Sequence, residues 1–388
     1  MSEFTQPDSD NLPAPGLGED LPPSPHFTAR DVFVGPDGLR AGWSILLYAA
    51  LLYTLLLVSS FLLSIVKSHH TSHPAPTPAA QSEAAKPSAP KPSAAAETAP
   101  LPAKAVLVGE GVTLLCVILA TWIMGRIERR PNTAYGLAGE RRTRNFFSGL
   151  VWGVALLSLL IFGLRTAGLL AIDQRLLFGR SALGYAAIWF AAFLLVGLLE
   201  EYLFRGYLQF TLARGFRGIF RWFGAPESGS LGFWTSAVML SFGFGITHKS
   251  NAGESPIGLL AAGLIGIVFC LSLWRSGSLC WAIGFHASWD WAQSYLYGVA
   301  DSGNMIEGHL FATHPIGRII LSGGLTGPEG SLYILPTIGL TAAVILLTLP
   351  SSRSAYLLSG PTHVPANPSD LSSGDSNSGS ADTGEHLP

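Results

Sequence analysis

Charge is what this sequence has least of. Only 12% of its 388 residues are Asp, Glu, Lys or Arg, about half the share found in an ordinary soluble domain. That shortage argues against a free globule in water. The 23 Lys and Arg are offset by 25 Asp and Glu, a net charge of -2, so there is no basic field with which to wrap a nucleic acid. Cysteine is scarce as well. Cys116, Cys270 and Cys280 each lie in an apolar stretch without paired spacing, which excludes a disulfide framework and a Cys-based metal site. No basic segment followed by a short apolar core occurs in the first 40 residues, so no cleaved secretory signal is read there.

What the sequence does contain is long apolar runs. Residues 1–40 carry seven prolines and several acids and read as a disordered tail. Residues 41–66 are almost wholly apolar and exceed the roughly 20 needed to cross a bilayer, which makes them an accessory transmembrane helix. Ala, Pro and Ser then dominate 67–103, the composition of a flexible linker. The stretch 104–179 holds spans two and three, near 105–125 and 146–171, around an Arg-rich loop. Four more spans fall within 180–300, at 182–204, 232–248, 256–274 and 280–299. A loop and a last span at 331–349 make up 301–350, and 351–388 is a second disordered tail. The expected fold is all-α, a polytopic membrane bundle of about eight transmembrane helices with disordered termini and linker.

Positive charge orients the bundle. Arg126, Arg129, Arg130, Arg141, Arg142 and Arg144 crowd the loop between spans two and three, which places that loop in the cytoplasm. Alternation brings Arg214, Arg217, Arg221 and Arg275 to the same side. The expectation is an integral protein of the plasma (inner) membrane with both termini cytoplasmic.

An ionisable side chain in mid-membrane costs about 2.5 to 3.5 kcal/mol on insertion scales, so each one found there is a functional suspect. They gather in three places: Glu200-Glu201-Tyr202-Leu203-Phe204-Arg205, then Phe244 and His248, then His286 and Asp290. On a helix Glu201 and Arg205 stand one turn apart, while Glu200 points about 100° away and has no local partner. His286 and Asp290 share a face in the same way. If the faces converge, Glu200 with His248 can activate water, and His286 with Asp290 can stabilise an oxyanion. Equally, Glu200, His248, His286 and Asp290 supply the N and O ligands that a catalytic zinc takes. Both versions stand at this point.

The strings EEYLFR, FGITH and HASWD, in this order on separate spans, resemble the signature of the CAAX prenyl protease 2 and bacteriocin-processing family of intramembrane proteases. The resemblance covers roughly residues 180–300, the expected catalytic domain. It implies an endopeptidase in which Glu200 and His248 activate the water, Glu201 and Arg205 brace the site, and His286 and Asp290 hold the oxyanion. Asp290 stands where the eukaryotic prenyl proteases typically carry Asn, and an ionised Asp cannot donate a hydrogen bond. Members are often named metalloproteases, so zinc and a metal-free glutamate mechanism both remain open. The implied partners are the lipid bilayer and a membrane-associated peptide or protein, prenylated or not. Rival readings are a non-catalytic scaffold or bacteriocin-immunity protein, and a proton-coupled carrier.

Depth gives one conflict. At 1.5 Å per residue Glu200 and His248 lie roughly 21 and 24 Å from the cytoplasmic ends of their helices, but His286 is only about 10 Å beyond Leu279. The seventh helix is therefore expected to tilt or to begin deeper than the apolar run indicates.

Overall fold

A computed structural model describes residues 32–35, 38–70, 99–139, 141–251 and 253–350, with no side-chain detail for 66–70. Most of the expected amino-terminal tail, most of the linker and the whole carboxy-terminal tail lie outside the described residues. The chain divides at Arg40 into two units. In the first, strands β1 (Val34–Gly35) and β2 (Gly38–Leu39) pair antiparallel.

The second unit is the helical bundle. Its helices are α1 (Ala41–His70), α2 (Ala103–Ile127), α3 (Arg142–Thr166) and α4 (Gly179–Glu200). A π-helical turn, Glu201–Leu208, carries α4 on into α5 (Gln209–Trp222), and α6 (Ser228–Thr247) and α7 (Pro256–Ser276) follow. Next come α8 (Cys280–Asp290), continued by a π turn at Trp291–Leu296, the short α9 (Ile319–Ser322) and α10 (Ile334–Thr348). Local chemistry sets several ends. Ser255 caps α7 by accepting a hydrogen bond from Gly258 N at 3.1 Å, with Pro256 at the first helical position, and Gly277 ends the helix at φ 66°.

Helix forms at all eight expected spans, but six of these helices are long and apolar enough to cross a membrane among the described residues. These are Ala41–Ile65, Ala103–Ile127, Arg142–Thr166, Gly179–Trp222, Ser228–Ser250 and Pro256–Ser276. The seventh and eighth are shorter than the sequence suggested. Helix α8 has 11 residues and its π continuation 6, about 25 Å in all, and α10 has 15, about 22 Å, against a hydrocarbon core near 30 Å. The reason is burial in protein. Trp281, Ala282, Ile283, Phe285 and Ala287 of α8 are at most 3% exposed, so their apolarity answers to neighbouring helices and not to lipid.

Small residues let α3 and α8 approach. A methyl group on Gly149 would stand 2.2 Å from Trp281 O, one on Gly284 2.2 Å from Phe146 O, and one on Gly153 2.1 Å from Ser288 Oγ. In membranes such small-residue seams hold helices by close van der Waals contact. Gly149→Ala should therefore cost about 1–3 kcal/mol through overpacking. Gly163→Ala on the same helix, where the added carbon meets nothing within 4 Å, should not. Thermal unfolding of the two variants in the same detergent checks this; equal midpoints would remove the seam from the account.

The structure is mostly helical, as expected, with little strand. Strands β3 (Leu170–Arg175) and β4 (Phe311–Pro315) pair antiparallel, and the segment 297–333 is built over the bundle as a roof. Leu101 N donates to Met305 O at 2.8 Å, Ala103 N to Glu307 Oε1 at 2.9 Å, Trp189 Nε1 to Glu307 O at 2.9 Å and Thr326 Oγ1 to Gly253 O at 2.8 Å. Gly327 permits one close approach within the roof. Its φ is 111°, and a Cβ there would sit 2.1 Å from Ala300 O.

Candidate active site

Glu201 is fully buried and Arg205 is 3% exposed. Their placement follows from the expected turn of helix, with Arg205 Nη1 donating to Glu201 Oε1 at 3.0 Å. The local winding is π-helical, an irregularity frequent at functional sites. The guanidinium lies 4.4 Å from the Phe244 ring centroid and 5.8 Å from that of Phe269, a cation–π setting suited to its planar charge. Helix α7 comes this close because residue 266 is glycine; a Cβ there would meet Arg205 Nη2 at 2.5 Å.

The same Glu201 oxygen reaches a second helix. His286 Nδ1 donates to Glu201 Oε1 at 3.1 Å, which leaves Nε2 facing Glu200 Oε2 at 3.6 Å and Asp290 Oδ2 at 3.5 Å. One imidazole thus meets three carboxyl groups from two helices. The depth conflict resolves here. Leu279 N donates to Gly136 O at 2.9 Å and the residue is fully buried. A methyl on Gly206 would lie 3.6 Å from Leu279 Cδ1. Helix α8 therefore begins inside the bundle at the level of Gly206, and about 10 Å of rise brings His286 alongside Glu201.

His248 ends α6 and opens a 3-10 turn at His248–Ser250. Its Nδ1 is 3.0 Å from Phe244 O. A carbonyl only accepts, so Nδ1 carries a proton toward it, and in the tautomer with its single proton there Nε2 is an acceptor. Phe244 stands edge-on to this ring with centroids 4.8 Å apart, so one aromatic separates His248 from Arg205.

Glu200, His248, His286 and Asp290 all line one cavity of about 260 Å³, walled by Phe193, Phe244, Ile265 and Phe269. Glu201 and Arg205 do not line it; they lie behind His286. The six residues singled out in the sequence are thus brought into one neighbourhood but into two layers. As for zinc, no three His, Cys, Asp or Glu side chains among the described residues are arranged to hold a metal ion. The four suggested ligands do not form such a set, and no step below passes through a metal.

Three ionisable residues of the cavity were not singled out for a role in the sequence: Glu110 from α2, and Asp301 and Glu329 from the roof. Glu329 accepts hydrogen bonds from Gln293 Nε2 and Ser302 N, tying the roof to the helix that carries His286. Burial pushes the Asp301 carboxyl up to about 6, against the opposing pull of His286 and His248. The available signal was the density of Gly and acid in 298–330, a stretch with no helical period. His309 and His314 stay apart, the latter paired with Asp173 at 2.8 Å on the β3–β4 ribbon.

Neither a curated protein nor a solved structure matches the chain. Residues 182–292, which contain all six residues of the two layers, match the model of the type II CAAX prenyl endopeptidase Rce1-like family, so over this stretch the integral membrane protein is similar to that family.

Proposed function

We propose that the protein is an intramembrane endopeptidase that hydrolyses a peptide bond of a membrane-associated substrate, with the attacking water held by Glu200 and His248. One observation carries this reading: Glu200, His248, His286 and Asp290, from three helices, face a single cavity in a largely apolar bundle. The water donates one proton toward the Glu200 carboxylate and the other toward His248 Nε2, which directs its lone pair at the substrate carbonyl. His286 and Asp290 face the oxygen on which negative charge develops. Glu201, fixed by Arg205, holds His286 through Nδ1 and so sets the direction of Nε2. The Arg-rich loop lies in the cytoplasm, as the distribution of Arg indicates. Substrates with and without a prenyl group both fit the proposal and are separated by assay.

His248→Ala should lower kcat by about 10²-fold or more, the usual worth of a proton acceptor, without loss of membrane insertion. The measurement is cleavage of quenched fluorescent peptides, prenylated and plain, by protein reconstituted in liposomes. Unchanged turnover in the variant would overturn the assignment of the water.

A further inference from the structure

The cavity has a direction. On α4 its lining runs from Trp189 to Glu200 and stops short of Arg205, and on α2 it is confined to the first turns, ending at Glu110. Helix α7 contributes Gly258 to Phe269 and α10 contributes Ile334 to Thr341, the part of each nearest the roof. Helices α6 and α8 run the other way, and they enter only from Phe244 and from Phe285 onward. Among the described residues, each of these helices lends its roofward part alone.

On the other side of Glu200 the bundle is closed. Arg205, Tyr207, Phe233, Leu273 and Trp281 are all buried there. Beyond them stand the arginines: Arg214 reaches Glu128 at 3.4 Å, and Arg275 donates to Leu346 O and Leu349 O at 3.0 and 2.6 Å where α10 ends. These are charges that the positive-inside rule assigns to the cytoplasm. At the roof end the lining turns polar and reaches accessible chain, with Asn251, Ser302 and Asn304 half-buried and Leu101 39% exposed. The cavity therefore leads away from the arginines.

We propose that the catalytic cavity is served from the membrane face opposite the arginines, so that its substrate is a membrane-associated peptide whose scissile bond lies on the extracytoplasmic side. The proposal rests on the hydrolytic reading above. The division of the lining supports it, since the polar groups at the roof can bond to an entering peptide backbone while Phe193, Ile265 and Phe269 accept an apolar side chain deeper in. A peptide presented from the cytoplasm would instead have to part the buried layer of Glu201 and Arg205, at the cost of separating a buried ion pair. A membrane protein whose cleavable end lies in the cytoplasm is thus excluded as a substrate.

The experiment uses the full chain produced in a bacterial inner membrane and a quenched fluorescent peptide that the detergent-solubilised protein cleaves, with sulfonated dyes that keep the peptide from crossing a bilayer. Cleavage above the level of Glu200→Gln should be about tenfold faster in spheroplasts, which expose the outer face, than in sealed inverted vesicles, and equal in the two once detergent opens them, because hydrocarbon holds out the charged dyes. A second readout needs no activity. His314→Cys, on the β3–β4 ribbon with the native side chain 56% exposed, should react with an impermeant maleimide in spheroplasts, whereas Glu227→Cys, between α5 and α6 at the arginine end, should react only in inverted vesicles. Faster cleavage in inverted vesicles, or equal rates from the two faces before detergent, would overturn the proposal, as would labelling of Glu227→Cys in spheroplasts. A wild-type protein that cleaves no peptide even in detergent is a different failure: it removes the endopeptidase reading itself.

Discussion

Glu200→Gln should yield a protein that inserts, purifies and unfolds like the wild type but cleaves about 10³-fold more slowly, within the range expected for loss of a general base. The substitution preserves shape and removes only the capacity to take a proton. Glu200 borders the cavity with its side chain 23% exposed, so the neutral amide replaces a partly solvated carboxylate and leaves no buried charge stranded. Its amide oxygen can also still face His286 Nε2. The loss should appear in kcat and not in KM, because the group acts on the water and not on the bound peptide. This outcome separates the readings. A scaffold or immunity protein that retains the cluster for stability would keep its phenotype in Glu200→Gln, and a proton-coupled carrier would lose flux across liposomes instead of cleavage.

Much of this site was legible in the sequence because polar side chains stand out against apolar helices. The spacing of Glu201 and Arg205, and of His286 and Asp290, fixed which groups share a face, and the structure places each pair within 3.0 and 3.5 Å. What was not legible is the exchange between helices. Glu201 was assigned to Arg205 by helical geometry, yet the same oxygen also serves His286, 85 positions away. Nothing in a single chain's pattern encodes that encounter. The lengths of the last two spans were overread for a related reason. Hydropathy does not distinguish a side chain facing lipid from one packed against protein, and α8 is of the second kind. Asp301 and Glu329 escaped notice because acidic residues in a loop are ordinary; only the path of 297–333 back over the cavity gives them a site.

The layer behind the cavity should prove the more sensitive to folding. Arg205→Met removes the cation from a Glu201 that is fully buried and whose Oε2 has no hydrogen-bond partner among the described residues. Taking one member from a buried pair costs about 3–5 kcal/mol, since the remaining charge is left without compensation. Methionine is close to the aliphatic part of arginine in volume, so the loss would report charge and not a cavity. Arg205→Lys should fall between, since an ammonium restores the charge but lacks the flat face that lies against Phe244. The decisive variant is the double substitution Glu201→Gln with Arg205→Met. With both members of the pair neutral it should recover most of the stability, because a buried pair and a neutral replacement are commonly near parity. Its activity should stay low, since an amide oxygen holds His286 less firmly than a carboxylate braced by a guanidinium. Unfolding midpoints and kcat measured on the same preparations decide the matter. If Arg205→Met is as stable as the wild type, Glu201 is not the buried anion on which the orientation of His286 depends.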